Sequence, residues 1–228
     1  MFDYNIKYPI YCLHIVQYKN RLDNINNLKK KFQFFNDITI CNFAKTNVNN
    51  IIADRFNELH TKYYDRFKNK DIYGNVFSCA YNWLQIIKCV YENGDEYAFF
   101  IEDDLNFRSY ITNEYIDNLI KAIPADADVV KICTSSYPVI KNNIVNVNNN
   151  VFNKIKLIDK SEQWKVDCNN SFFMLSRKGM KFYIDSQESN FGISDFNINY
   201  DTHNLNVYMH KNYKYFIKYK YDSTINNI

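Results

Sequence analysis

The sequence predicts an α/β protein whose mostly parallel central sheet is flanked by helices, and three observations carry that expectation. The segment IYCLHIV (Ile10 to Val16) is β-branched and apolar, and it runs into a helical period over Arg21 to Phe35, with apolar residues at Leu22, Ile25, Leu28 and Phe32. DITICNFA (Asp37 to Ala44) then reads as a second strand, which completes a β-α-β unit. Further along, a helix-period segment (Val76 to Tyr91) stops at Asn93-Gly94 and is followed at once by the strand EYAFFI.

The remaining elements follow in order. Ile51 to Phe67 reads as helical, and Val76 to Tyr91 carries Phe77, Ala80, Tyr81, Leu84, Ile87 and Val90 on one side. A helix over Asn113 to Ala122 is closed by Pro124, and ADVVKIC (Ala127 to Cys133) is another strand. Ser135 to Asn150, with its asparagine run, reads as a loop or solvated hairpin. Asn170 to Leu175 reads as a strand that turns through Ser176-Arg177-Lys178-Gly179 into a helix ending near Ser186. The tail alternates Lys and aromatic residues over Tyr213 to Tyr221, the pattern of a strand with one packed and one charged face; peripheral membrane contact is the alternative. No repeat or linker appears, so 1–228 is expected to form one domain.

Composition excludes several classes. Hydrophobic residues make up 46% and charged residues 23%, as in an ordinary globular protein. A net charge of +3 is too small for the single-sign field of a dedicated nucleic-acid binder, so no nucleic-acid partner is expected. The chain shows neither a run of about eighteen apolar residues nor a signal-peptide pattern, and a cytoplasmic protein is expected. The six cysteines form no C-x-x-C pair and are expected to be buried free thiols. Neither composition nor charge sets an oligomeric state.

The chemistry concentrates in YAFFIEDDLNF (Tyr97 to Phe107), where an apolar run is followed by Glu102, Asp103 and Asp104. Adjacent carboxylates repel, the more so where water is partly excluded. On an extended backbone Glu102 and Asp104 share one side and Asp103 takes the other. Two oxygen ligands on one side suit a hard divalent cation, Mn2+ or Mg2+, which leaves coordination positions for diphosphate oxygens. A solvated turn is the competing reading of the same three residues.

In its surroundings the triplet resembles glycosyltransferase family 25, the lipopolysaccharide-type and procollagen-type galactosyltransferases. SCAYNWLQIIKCVYENGDEYAFFIEDDLNF (Ser78 to Phe107) is similar to that family's G-C-x-x-S-H helix, G-D-E turn and E-D-D strand end. IYCLHIVQYKNR resembles its I-N-L-x-x-x-x-x-R opening. ITICNFAKTN, SFFMLSRKGMKFYID and the closing DSTI correspond in order to its later segments. The chain departs from the pattern at Asn82-Trp83 in place of Ser-His, at Ser78 in place of glycine and at His14 in place of asparagine.

The resemblance implies a GT-A fold and an enzyme that moves a hexose, galactose or glucose, from a nucleotide sugar, commonly UDP-linked, with Mn2+ as cofactor and inversion at the transferred carbon. The acceptor would be a hydroxyl on a glycan, protein or lipid-linked saccharide, and the single domain would divide into a nucleotide-sugar-binding half over about 1–107 and an acceptor-side half over about 108–228. It makes Asp104 and Glu102 the metal ligands and Arg21, Glu102, Asp103 and His210 candidates for holding the donor. Inversion needs a general base. Asp195 stands first and Asp201 second for that role, with Asp167 beside Trp164 third; His203 is a further candidate for the metal or diphosphate. The departures at Asn82-Trp83 leave open a non-catalytic carbohydrate or nucleotide-sugar binding module on the same fold, and a metal-dependent nucleotidyltransferase is a weaker third reading.

Overall fold

In the computed structural model, residues 8–43, 70–133, 144–145, 149–156, 171–189 and 204–211 are described. The expected helix over Ile51 to Phe67, the tail strand over Tyr213 to Tyr221 and the DSTI segment lie outside them. The first β-α-β unit forms as the periodicity predicts: β1 (Ile10–Ile15), α1 (Lys19–Lys31) and β2 (Thr39–Phe43). The helix ends earlier than its apolar period suggests, because Phe32 turns to extended geometry and Gln33–Phe35 forms a separate 3-10 turn. Its inward stripe also differs. Asn24, Ile25 and Leu28 are buried, whereas Leu22 is exposed.

Helix α2 (Lys70–Glu92) begins before the expected Val76 and ends two residues before Gly94, whose φ of 87° is the left-handed geometry that glycine adopts without strain. It leads to β3 (Tyr97–Glu102). Helix α3 (Asn113–Lys121) is capped by the Thr112 hydroxyl, which accepts from the Tyr115 N–H at 3.2 Å, with Glu114 in its first turn and Lys121 in its last. β4 (Val129–Cys133) follows. Part of the expected loop pairs as a short β5 (Ile144–Val145) against β6 (Phe152–Ile155). β7 (Phe172–Ser176), α4 (Arg177–Ser189) and β8 (Val207–His210) complete the described chain.

The strands form one sheet in the order β2-β1-β3-β7-β4-β8-β6-β5. Among the described residues β6 and β7 run against the other strands, and three neighbouring pairs are parallel: β1 with β2, β1 with β3, and β4 with β8. This is the α/β class that the sequence predicts. Both faces are covered. Ile25 and Leu28 of α1 and Ile116, Leu119 and Ile120 of α3 pack with Phe99, Ile101 and Phe172 on one face. Trp83, Ile87 and Val90 of α2 and Met180, Tyr183 and Ile184 of α4 pack with Ala98, Phe100 and Phe173 on the other. A strand buried on both faces must be apolar at every position, which is why AFFI and FFML read as continuous runs. Phe100 and Phe173 stack across β3 and β7 with centroids 5.1 Å apart.

The cysteine expectation holds in part. Cys12, Cys41, Cys79, Cys89 and Cys133 are free thiols, but only Cys12 and Cys133 are buried and Cys89 is exposed. Burial pushes the Cys41 thiol up to about 11, so it stays protonated at neutral pH.

Candidate functional site

Strands β1 and β3 lie side by side and end together. Leu13 pairs with Glu102 in the ladder, and the Asp103 N–H extends it by donating to the Leu13 carbonyl at 3.1 Å. From β1 the chain moves through α1 to β2 on one flank; after α2 it occupies β3 on the other. Helices α1 and α2 belong to opposite core layers. The sheet therefore has a topological switch point between β1 and β3, and a ligand crevice opens beyond the carboxyl ends of such a strand pair. Glu102, Asp103 and Asp104 stand at its mouth.

The three carboxylates have three different environments. β3 ends at Glu102, and the next residues form a turn closed by the Leu105 N–H donating to the Glu102 carbonyl at 3.1 Å. The expected alternation through Asp104 therefore does not hold, because it needs an extended backbone. Glu102 faces α2 and β7, accepting from the Ser171 hydroxyl at 2.9 Å, with the Cys79 thiol 3.9 Å away. Asp103 turns to the α1 side and is 2% exposed. Its Oδ2 accepts from His14 Nδ1 at 2.9 Å and from the Ile15 N–H at 3.2 Å, and its Oδ1 accepts from an Arg21 guanidinium nitrogen at 2.9 Å. Asp104 Oδ2 lies 3.6 Å from the same Arg21 nitrogen.

Helix α1 positions this cluster from below. The Asn24 side-chain amide donates to the Asp103 and Leu105 carbonyls at 3.0 and 2.7 Å, which pins the turn. Arg21, one helical turn before, stacks over the Tyr18 ring at 4.6 Å. One of its guanidinium nitrogens meets both Asp103 and Asp104. Burial works against its charge, but Asp104 and Asp103 outweigh burial and raise it further above its ordinary range. Burial is also the main influence on Asp104: it raises the carboxyl, Arg21 pulls it back, and the Asp103 charge raises it again.

Mn2+ or Mg2+ would relieve that situation at Asp104. Asp103 has both oxygens engaged by nitrogen donors, Glu102 accepts from the Ser171 hydroxyl on the β7 side, and Asp104 lies beside Arg21 of α1. Among the described residues no group of three or more His, Cys, Asp and Glu converges as a metal cage.

The other sequence candidates fall elsewhere. Asp195, Asp201, Asp167, His203 and Trp164 lie outside the described residues. His210 ends β8 on the same sheet edge, but β7 and β4 separate that strand from β3, roughly 14 Å at the usual strand spacing. It is buried beside the Tyr115 hydroxyl, 3.3 Å from Nε2, and against the Phe152 ring. Trp83 is fully buried against Phe100 and Phe173, so the departure from Ser-His adds core packing rather than a pocket wall. Sequence reasoning missed Asn24 and Ser171, and His14 was visible there only as a departure. Asn24 left a signal, a polar residue beside the inward Ile25.

Burial lowers His210 to about 4 from its ordinary 6.5. Below pH 6.5 the unfolded chain takes up a proton that the folded chain refuses, so stability is intact above that pH and declines toward pH 4. The loss attributable to this ring is on the order of 3 kcal/mol. Urea unfolding at pH 7.5 and 4.5 should show a smaller difference in His210→Gln than in the native chain; equal slopes would refute the assignment.

A cleft of about 440 Å³ lies beside Tyr91, Arg177, Lys178 and Phe182. Ser176, just before it, pairs with Tyr97 at the start of β3, so the cleft is at the sheet edge opposite the carboxylates.

No protein-family model and no curated protein matches the chain. Among solved structures, S. aureus TarS (residues 1–349) is similar at 12% identity and a TM-score of 0.42, covering 90% of this chain and 60% of that one. Mannose-1-phosphate geranyltransferase from Thermus thermophilus is similar at 9% identity and a TM-score of 0.32, covering 57% of this chain and 49% of that one. The chain thus spans about half and three fifths of these two solved chains. Neither score reaches one half, and the fold described above rests on the strand order itself. Among the described residues no helix is long and apolar enough to cross a membrane.

Proposed function

We propose that this chain is a nucleotide-sugar-dependent glycosyltransferase that moves a hexose, with inversion, from a UDP-linked donor to a hydroxyl of a glycan, protein or lipid-linked saccharide. The observation that carries the reading is the placement of Glu102 and Asp104 at the switch point between β1 and β3, with Asp103 tied between them to Arg21 and His14. The division of labour among the three carboxylates follows from their partners. Asp103 is held by three nitrogen donors, Glu102 by the Ser171 hydroxyl, and Asp104 lies beside Arg21.

Glu102 and Asp104 are the proposed holders of Mn2+ or Mg2+, whose Lewis acidity would neutralise charge on the departing diphosphate. Ser171 orients Glu102 through its hydroxyl, and Arg21 holds Asp104 at the crevice mouth. Arg21 also limits the repulsion within the triplet, because one guanidinium meets two carboxylates. Asp195 and Asp201 are the proposed acceptors of the proton from the attacking hydroxyl.

The test is UDP release from UDP-hexoses by purified protein with Mn2+. Asp104→Ala should lower the rate on the order of 10²–10³-fold, the loss typical of removing one group that stabilises a developing charge. Saturable donor binding without turnover under any metal, sugar or acceptor would favour a binding module instead. An Asp104→Ala variant as active as the native chain would overturn the metal assignment.

A further inference from the structure

The cleft of about 440 Å³ between the end of α2 and the start of α4 has walls of two kinds. Tyr91, Phe182 and Leu205 give it an apolar lining, and Arg177, Lys178 and Lys181 bring three cations to it. The cations are not equivalent. The Lys178 ammonium lies 3.1 Å from an Asp128 carboxylate oxygen and donates to the Asn204 carbonyl at 2.5 Å. The Lys181 ammonium meets both oxygens of Asp185, a carboxylate of the same lining, at 2.5 and 2.6 Å. Arg177 has no carboxylate within ion-pair distance among the described residues.

The Arg177 guanidinium is nevertheless held in place. It is half-buried, its Nη1 donates to the Tyr91 carbonyl at 2.8 Å, and it lies over the Tyr91 ring, 4.2 Å from the centroid. Those contacts fix the plane of the group and use one of its five N–H donors. The fork formed by Nε and Nη2 makes no hydrogen bond among the described residues. A guanidinium fixed in plane with its fork unengaged is pre-organised for two parallel hydrogen bonds to a carboxylate or phosphate. Helix α4 adds to the field, because it has no acidic residue in its first turn and its dipole is positive at this end. The apolar walls indicate what else the ligand carries: a bare anion would leave Phe182 uncovered, whereas a ring beside the anion would pack on it.

We propose that this cleft is a second ligand site, for a small molecule that joins an oxyanion, phosphate monoester or carboxylate, to a ring-shaped body. The Nε and Nη2 fork of Arg177 takes the oxyanion, and Phe182 takes the ring. The site lies at the sheet edge opposite the acidic triplet and does not depend on the glycosyltransferase reading.

The experiment is calorimetric titration of the full chain at low ionic strength with inorganic phosphate, phenyl phosphate, glucose 6-phosphate and benzoate, with glucose as the neutral control. At least one ring-bearing anion should bind about tenfold more tightly than inorganic phosphate, and glucose should not bind. Glucose 6-phosphate against phenyl phosphate separates a sugar body from an aromatic one, and benzoate against phenyl phosphate separates carboxylate from phosphate. Arg177→Gln should weaken the best binder about tenfold. Arg177→Lys, which keeps the charge without the fork, should recover only part of that loss. Asp104→Ala should bind the same probe as the native chain does, since the triplet is at the other edge. Proton–nitrogen NMR of the native chain supplies a readout that stands if the variants do not fold: the Arg177 Nε–H resonance should move as the probe is added. A native chain that binds none of the four anions, an Arg177→Gln affinity within twofold of native, full recovery in Arg177→Lys, or an unmoved Nε–H at saturation overturns the proposal. Each of those results leaves the glycosyltransferase reading untouched.

Discussion

Asp103→Ala is expected to lower the unfolding free energy by roughly 3–5 kcal/mol, the range for removing one partner of a buried ion pair. The carboxylate is sealed and receives three donors, and the Arg21 side chain opposite it is only 12% exposed. Alanine leaves a guanidinium without its closest counter-charge, and an imidazole N–H and a backbone N–H without acceptors. Asp104 limits the damage to Arg21 but, at 3.6 Å, does not replace the lost hydrogen bond. At roughly 2–4 °C per kcal/mol for a chain of this size, the melting point should fall by about 10 °C. Asp104→Ala breaks no comparable network and should leave the melting point near the native value while removing activity. Equal melting points for Asp103→Ala and the native chain would show that the cluster is not a structural anchor.

Gly179→Ala is the second large effect. A Cβ there would lie 2.4 Å from the Asp128 carbonyl oxygen and 3.3 Å from its carbon. Backbone cannot rotate out of the way, so either α4 lifts or β4 shifts. The junction has little slack. The Gly179 N–H donates to the Ser176 hydroxyl at 3.1 Å, which caps the helix, and the Ser176 N–H donates to that same Asp128 carbonyl at 2.9 Å. The Asp128 carboxylate in turn accepts from the Ser176 hydroxyl, the Lys178 ammonium and the Asn206 N–H. A loss of about 3 kcal/mol is expected, at the upper end for an overpacked site. Gly94→Ala is the matched control. Nothing stands within 4 Å of its Cβ position, and only the left-handed φ of 87° penalises it, by about 1–2 kcal/mol. Denaturant unfolding of both variants should rank Gly179→Ala as the more damaged; the reverse order would refute the packing argument.

Local patterns account for what was legible beforehand. Strands and helices were visible because a two-sided sheet demands unbroken apolar runs and a helix packed on one face demands a period near 3.6. The acidic triplet stood out because three carboxylates follow a run that is buried on both faces. Where pattern reading erred, a contact distant in sequence had intervened. Leu22 was placed inward by apolarity, yet the helix turns Arg21 and Asn24 toward the turn after β3, about eighty residues on, because buried polar backbone there needs donors. The triplet was read as extended, but the Leu105 N–H closes a turn on Glu102 and redirects the side chains.

By itself, then, the sequence determined the α/β class, the helix stop before Gly94 and the position of the acidic triplet at the end of β3. Each depends on residues within a few positions of one another. The tertiary structure decided the rest: that β7 enters antiparallel between β3 and β4, that Gly179 is needed for close approach to Asp128 rather than for a turn, and that Asp103 is tied to β1 and α1 while Glu102 accepts from Ser171. The physical reason is that a carboxylate's role is set by the donors that reach it. For Asp103 those donors come from β1 and α1, more than eighty residues earlier in the chain.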